Sequence, residues 1–369
     1  MSKTLETILE IDLNALRHNY RYLTSKLKKE TKVMAVVKAY GYGSDSCIVA
    51  KELIALDVDY FAVAYSNEGV ALRDFDIQTP ILVLHPLPVN FQRILDRCLE
   101  PSIYSRKMLR EFIEFAENNH QKEYPIHLKF NTGLNRLGFT KNDIAFITEM
   151  LSQTKSVKVK SIFSHLAASE DEDAIPFTKL QIETFRGISS EIIKMIGYTP
   201  MLHTVNTSGI LNYPDAQFDM VRTGIGLYGF GNDPKENKNL VPVATLKTVI
   251  SQLHHIKAGE TVGYNMGFKA ESNMISATIP IGHADGISRA YGRGKGWVTI
   301  HGKKAPILGN VCMDMIMVDV SEIKCEEGDE VIVFGKNSTA DDLAASIGSI
   351  PYELLTAISQ RVKRVIRSN

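Results

Sequence analysis

The feature that most limits the fold is an alternation. Between residues 12 and 235, eight short apolar runs are separated by segments with helical spacing. The runs are VMAVV (33–37), YFAVAY (60–65), ILVLH (81–85), PSIY (101–104), IHLKF (126–130), SIFSH (161–165), MLHTV (201–205) and DMVRT (219–223). Segments such as SRKMLREFIEFAEN and FTKLQIETFRGISSEIIKMI lie between them and carry apolar residues at helical spacing. Runs that are apolar on both faces suit parallel strands covered by helices. Eight such units predict an α/β fold, a (β/α)8 TIM-like barrel over 12–235. The second to fourth units are the weakest.

After residue 236 the texture changes. VATLKTVISQLHHI, MISATIPIG, GWVTIHGKKAPILG, CMDMIMVDV and DEVIVFG are β-rich and separated by turns. They predict a mostly antiparallel β domain over 236–369, closed by a helix at TADDLAASIG and a tail from Tyr352. The strand TILEID precedes the barrel pattern, so residues 1–11 are expected to join the second domain.

Length and charge narrow the function. A chain of 369 residues exceeds one ordinary core. Lys plus Arg and Asp plus Glu both number 42, so the formal charge is zero. That balance argues against a nucleic-acid or acidic-membrane partner. No apolar run is long enough to span a bilayer. Cys47, Cys98, Cys312 and Cys325 are widely spaced, which reads as reduced thiols in a cytoplasmic protein.

In a barrel of this kind the chemistry sits at the C-terminal ends of the strands. Lys38 ends the first run. Lys129 and Asn131 end the fifth, with Arg136 beyond. His165 ends the sixth, Asn206, Thr207 and Ser208 follow the seventh, and Arg222 with Gly224 ends the eighth. Each alone is explained as a solvated or structural polar group, a snorkelling Lys38 above all. Five strand ends converging with cations, hydroxyls and an amide argue for a site. The set has no GxSxG, no HExxH, no Cys/His cluster and no paired carboxylates, against an esterase-type nucleophile, a metal or a glycosidase. A lysine in an apolar setting near other cations favours the neutral amine that forms Schiff bases. Glycines and hydroxyls after the last two runs suit a phosphate. The pair points to pyridoxal 5′-phosphate (PLP). Gly224–Gly229 reads GIGLYG and matches a dinucleotide fingerprint, but GFGNDPKENKN follows where a helix is required.

At this point the chain resembles the alanine racemase family over nearly its whole length. The resemblance rests on AVVKAYGYG (35–43), KFNTGLNRLG (129–138), SH (164–165), MVRTGIGLYG (220–229), VGYN (262–265), GHADG (282–286), GNVCMDM (309–315) and PYELL (351–355), in the family's order. It implies that Lys38 holds PLP. Tyr42, Thr207, Gly224, Ile225 and Tyr352 would hold its phosphate, with Asn206 beside Thr207 and Ser208 ranked lower. Arg222 would face the pyridine nitrogen, and a guanidinium does not readily give up a proton there. Arg136 would reach the phenolic oxygen and the substrate carboxylate, with Lys129 bracing it. Lys38 and Tyr264 would be the two bases, on opposite faces of Cα. His165 and Arg222 would lower the Tyr264 phenol toward neutrality. Tyr264 and Met313 would reach the neighbouring subunit's site in a head-to-tail homodimer, with Asp314 and His283 in support.

The implied reaction is L-alanine to D-alanine racemisation, supplying peptidoglycan precursor. His283 and Asn131 stand where relatives carry Tyr and Asp, so a racemase of serine or other small amino acids stays open. A barrel-type PLP decarboxylase is a weaker reading, because Arg222 opposes the carboxylate such enzymes place at the ring nitrogen.

Overall fold

The computed structural model describes residues 6–368. Nine strands form its first part: β1 (Ile8–Asp12), β2 (Lys32–Val36), β3 (Tyr60–Val63), β4 (Ile81–Val83), β5 (Glu100–Ile103), β6 (Tyr124–Lys129), β7 (Val157–Phe163), β8 (Met201–His203) and β9 (Met220–Thr223). β2 to β9 make one parallel eight-stranded sheet in the order β8-β7-β6-β5-β4-β3-β2-β9. Each falls on one of the eight apolar runs, including the three weakest.

The ladder is not regular at its last seam. There the Asp219 N–H donates to Leu202 O and the Arg222 N–H to Val205 O, both at 3.1 Å, so single bonds join β8 to β9. The strands are buried along most of their length. Met34, Ala35, Phe61, Ala62, Ile126 and Leu128 are inaccessible to solvent. Such burial removes roughly 1.5–3 kcal/mol of apolar cost per large side chain.

The helices are started by side chains. Asp12 accepts from the Asn14 and Ala15 N–H groups at the head of Leu13–Thr24. Asp45 caps Ser46–Ile54, and Ser105 caps Arg106–Asn118. The longest helix, Ile175–Ile196, starts with Pro176 in its first turn and stops at Gly197 in the left-handed region.

The second sheet has nine strands. From one edge it runs Gln252–Ile256, Met274–Ile279, Ile316–Asp319, Lys303–Leu308, Trp297–Ile300, Glu330–Phe334, Ala244–Val249, β1 and Lys363–Arg367. Every pairing is antiparallel except β1 with Lys363–Arg367. The chain therefore has an eight-stranded parallel barrel and a separate, mostly antiparallel β sheet. The tail that follows the helix Pro351–Ala357 ends as a strand, a role not anticipated for KRVIR. What orders it is its parallel pairing with β1, in register from Ile8 with Lys363 to Asp12 with Arg367. Among the described residues no helix is long and apolar enough to cross a membrane.

Candidate active site

The segment after β2 is unusual backbone. Ala39, Tyr40, Gly41, Tyr42 and Gly43 all have positive φ, between 51° and 82°. Left-handed residues with a Cβ cost roughly 1–2 kcal/mol each, so the surroundings must impose the turn. Glu68 Oε1 accepts the Ala39 N–H at 2.6 Å. On the other side Arg364 donates to Gly43 O at 2.9 Å. A Cβ on Gly43 would meet Leu355 O at 2.1 Å, so only glycine lets the helix Pro351–Ala357 approach this closely. The turn sets Lys38 at the barrel mouth and brings Tyr352 over from the second sheet's side of the chain.

Lys38 lines a cavity of about 580 Å³. Tyr42, Lys129, Arg136, His165, Asn206, Thr207, Arg222, Gly224, Ile225 and Tyr352 line it too, so the structure brings these expected residues together. Among the described residues no carboxylate lines it. Its electrostatics follow from that composition. The Lys38 amine is pushed below its usual range, by burial first and then by Arg136, against a pull from Glu68. Lys129 is lowered to about 8 by burial, then by Arg136, Arg222 and Lys38. Burial, then Arg222, Arg136, Lys129 and Lys38, hold the His165 imidazole neutral. Arg222 is 4% exposed and is lowered to about 9 by burial and then Arg136. Its guanidinium donates to Ser164 O, Thr204 O, His203 Nδ1 and His165 Nδ1 at 2.7–3.1 Å.

The same cavity also carries a cradle of hydroxyls and N–H groups. The Gly224 and Gly226 N–H groups both point at Thr207 Oγ1, at 3.3 and 3.4 Å. A Cβ on Gly224 would sit 2.4 Å from Tyr42 Oη. Tyr42 stacks on Tyr228 with ring centres 4.5 Å apart. The Tyr352 hydroxyl donates to Asn232 Oδ1 at 3.0 Å. Asn206 has a structural task as well. Its Oδ1 accepts from the Gly209 N–H and from Ser169 Oγ. Ser208 turns away and donates to Glu236 at 3.1 Å, in agreement with its lower rank. GIGLYG forms a short 3-10 turn, Ile225–Tyr228, which excludes the dinucleotide reading.

Asn131 is a turn cap: its Oδ1 accepts from the Gly133 and Asn135 N–H groups. Lys129 ends β6 and lines the cavity together with Arg136, with its ammonium 5.9 Å from the Phe163 ring centre. Such a donor set, an amine held toward neutrality plus cations and a hydroxyl and glycine cradle, fits an anionic aldehyde cofactor with a phosphate.

Four expected residues lie elsewhere. Tyr264, 73% exposed, and Met313, 58% exposed, line a second cavity of about 540 Å³ with Asp314. Asp314 accepts from Arg361, which also binds Asp285. His283 is exposed and lines neither cavity. His165 and Arg222 belong to the other cavity, so within one chain they do not meet the Tyr264 phenol; the expectation placed that contact across two subunits. Sequence reasoning also missed Tyr65 and His85, which line the Lys38 cavity. Both end apolar runs, YFAVAY and ILVLH, so the strand-end rule covers them. Nothing local marks Glu68, Asn232 or Arg364, whose roles come from distant contacts.

Residues 11–232 match the family model for the alanine racemase N-terminal domain, and residues 243–366 match that for the C-terminal domain. The alanine racemase of Carboxydothermus hydrogenoformans is 35% identical over 365 residues, covering 96% of this chain and 98% of that protein. That of Treponema denticola is also 35% identical, covering 96% of each. The solved alanine racemase of Clostridium difficile 630 superposes with a TM-score of 0.93 at 31% identity, covering 100% of this chain and 97% of that one. The structure from Bartonella henselae, described with covalently bound pyridoxal phosphate, gives 0.89 at 29% identity, covering 98% and 99%. By sequence over nearly its full length and by fold, the chain belongs to the alanine racemase family of isomerases.

Proposed function

We propose that this chain interconverts L-alanine and D-alanine with PLP held through Lys38. The observation that carries the reading is a lysine amine pushed toward neutrality inside a cavity lined by Lys129, Arg136 and Arg222 and by no described carboxylate. The covalently bound cofactor of the Bartonella relative supports the choice of PLP. Thr207, Tyr42, Tyr352 and the backbone at Gly224 and Ile225 would hold the phosphate. Arg222, which only donates, would face the ring nitrogen. Arg136 would take the substrate carboxylate, for which its planar fork is suited. When bound, PLP supplies an electron sink for the pair left at Cα.

Racemisation takes a proton from one side of Cα and returns one on the other. A single base does not reach both sides. Lys38 serves one side. Tyr264 stands in a separate, exposed cavity of the same chain. The other base is therefore Tyr264 of the partner subunit, inserted in a head-to-tail homodimer, and Met313 of the partner subunit accompanies it. The four free thiols suit a reducing cytoplasm, where the D-alanine would feed peptidoglycan. In deuterated water, L-alanine with PLP and the protein should lose optical rotation while gaining α-deuterium. Retention of both rotation and the α-hydrogen by PLP-loaded protein would refute the reading.

A further inference from the structure

One buried polar chain runs through the barrel interior, and the proposed reaction uses only its last member. Five consecutive strands each give it one side chain: Glu100 (β5), His127 (β6), Ser161 (β7), His203 (β8) and Arg222 (β9). Glu100 Oε2 lies 2.6 Å from His127 Nε2, and His127 Nδ1 lies 2.6 Å from Ser161 Oγ. Ser161 Oγ lies 2.9 Å from His203 Nε2, and His203 Nδ1 lies 2.7 Å from Arg222 Nη1. His127, Ser161 and His203 are wholly buried, and Glu100 is 9% exposed.

The direction of every bond follows from one fact. A guanidinium only donates. His203 Nδ1 must therefore accept, which leaves the ring proton on Nε2 to be donated to Ser161. Ser161 then donates to His127 Nδ1, and His127 Nε2–H donates to the Glu100 carboxylate, which accepts. A single polarity runs from cation to anion with no conflict. The other hydrogen-bond partners of Arg222 are neutral: the Ser164 and Thr204 carbonyls and His165. A buried cation with only neutral partners is costly unless a charge elsewhere balances it.

We propose that Glu100 is the remote counter-ion of Arg222, and that His127, Ser161 and His203 transmit its negative charge and fix the hydrogen-bond direction that orients the guanidinium. Glu100 begins β5, at the end of the barrel opposite the mouth, so it acts as a positioning residue across the interior. The ring of His203 is held for this task by stacking on Phe163, with centres 4.9 Å apart and planes 1° from parallel. Glutamine at position 100 keeps an acceptor oxygen but removes the charge. It also introduces an amide that can donate to His127 and reverse the chain, setting two donors against each other at Arg222.

The functional part of this inference rests on the PLP reading, and the test separates the two. In the full-length protein without added cofactor, histidine nitrogen-15 spectra should show His127 and His203 each protonated on Nε2 only. A proton on Nδ1 of His203, or a doubly protonated ring, overturns the relay. Glu100→Gln should then weaken PLP binding by about tenfold to a hundredfold and displace the bound cofactor's absorbance maximum, with Glu100→Asp restoring part of both. PLP affinity and spectrum unchanged in Glu100→Gln overturn the counter-ion role. Should the unaltered protein bind no PLP, the cofactor reading fails while the nitrogen-15 spectra still decide on the relay.

Discussion

Glu68 Oε1 accepts the backbone N–H of Ala39 at 2.6 Å, clamping the residue beside Lys38 into a left-handed turn. The same carboxylate accepts from the Ala64 and Tyr65 N–H groups through Oε2. It thus ties the lysine segment to the end of β3. It is also a negative influence on Lys38, opposing burial and Arg136. Glu68→Gln keeps an acceptor and removes the charge, so the Lys38 amine should deprotonate at lower pH. The pH dependence of Lys38 acylation, read by peptide mapping, should move to lower pH. Movement to higher pH would contradict the assigned role. Glu68→Ala should also destabilise the fold by about 2 kcal/mol, because three backbone donors lose their acceptor.

Gly224 tests the cradle. A Cβ there would lie 2.4 Å from Tyr42 Oη, inside the space assigned to the phosphate. Gly224→Ala should lower PLP affinity, read by cofactor absorbance, and reduce the yield of cofactor fixed to Lys38 by borohydride. Gly187 is the control. It sits in the helix Ile175–Ile196 with nothing within 4 Å of a built Cβ. Gly187→Ala should stabilise by about 0.5–1 kcal/mol in urea titration and leave PLP affinity unchanged.

Lys129 gives a pH signature. Its folded value of about 8 lies below the ordinary 10.5, so the unfolded chain binds more protons between those limits. Stability should therefore rise with pH across that window and carry the full penalty below about 8. The lysine is 6% exposed, so the penalty is about 3 kcal/mol by linkage. Lys129→Met should be more stable than the unaltered chain near neutrality and lose the advantage as pH approaches 10.5. Urea titrations across this range check it. A constant difference between the two proteins would show that burial among Arg136, Arg222 and Lys38 does not set the lysine's charge.

Much of this architecture was written into local sequence. The eight barrel strands were legible because strands buried on both faces need uninterrupted apolar residues. Even β4, three residues long, announces itself as ILV. Lys38, His165, Arg222 and Gly224 were legible because chemistry at strand ends follows from the barrel. Lys363–Arg367 was not, since KRVIR looks like a charged tail until β1 pairs with it. Arg364 and Gly43 meet across more than three hundred positions, and nothing beside either residue foretells the contact. Glu100 was hidden for the same reason: its partner on β6 appears only when the strands are laid side by side. The separation of Tyr264 from Lys38 was expected only through the family resemblance, because a motif orders residues along the chain and does not by itself say which space they share.

Subunit complementation tests the central claim most directly. Lys38→Ala and Tyr264→Ala chains should each be inactive alone. Co-folded in equal amounts, they form heterodimers in which one site has lost both residues and the other retains Lys38 of one chain and Tyr264 of its partner. About a quarter of all sites would then be intact, and racemisation of alanine should return to roughly that fraction of the unaltered activity. A co-folded mixture of confirmed heterodimers as inactive as its parents would contradict the claim that the two bases come from different chains.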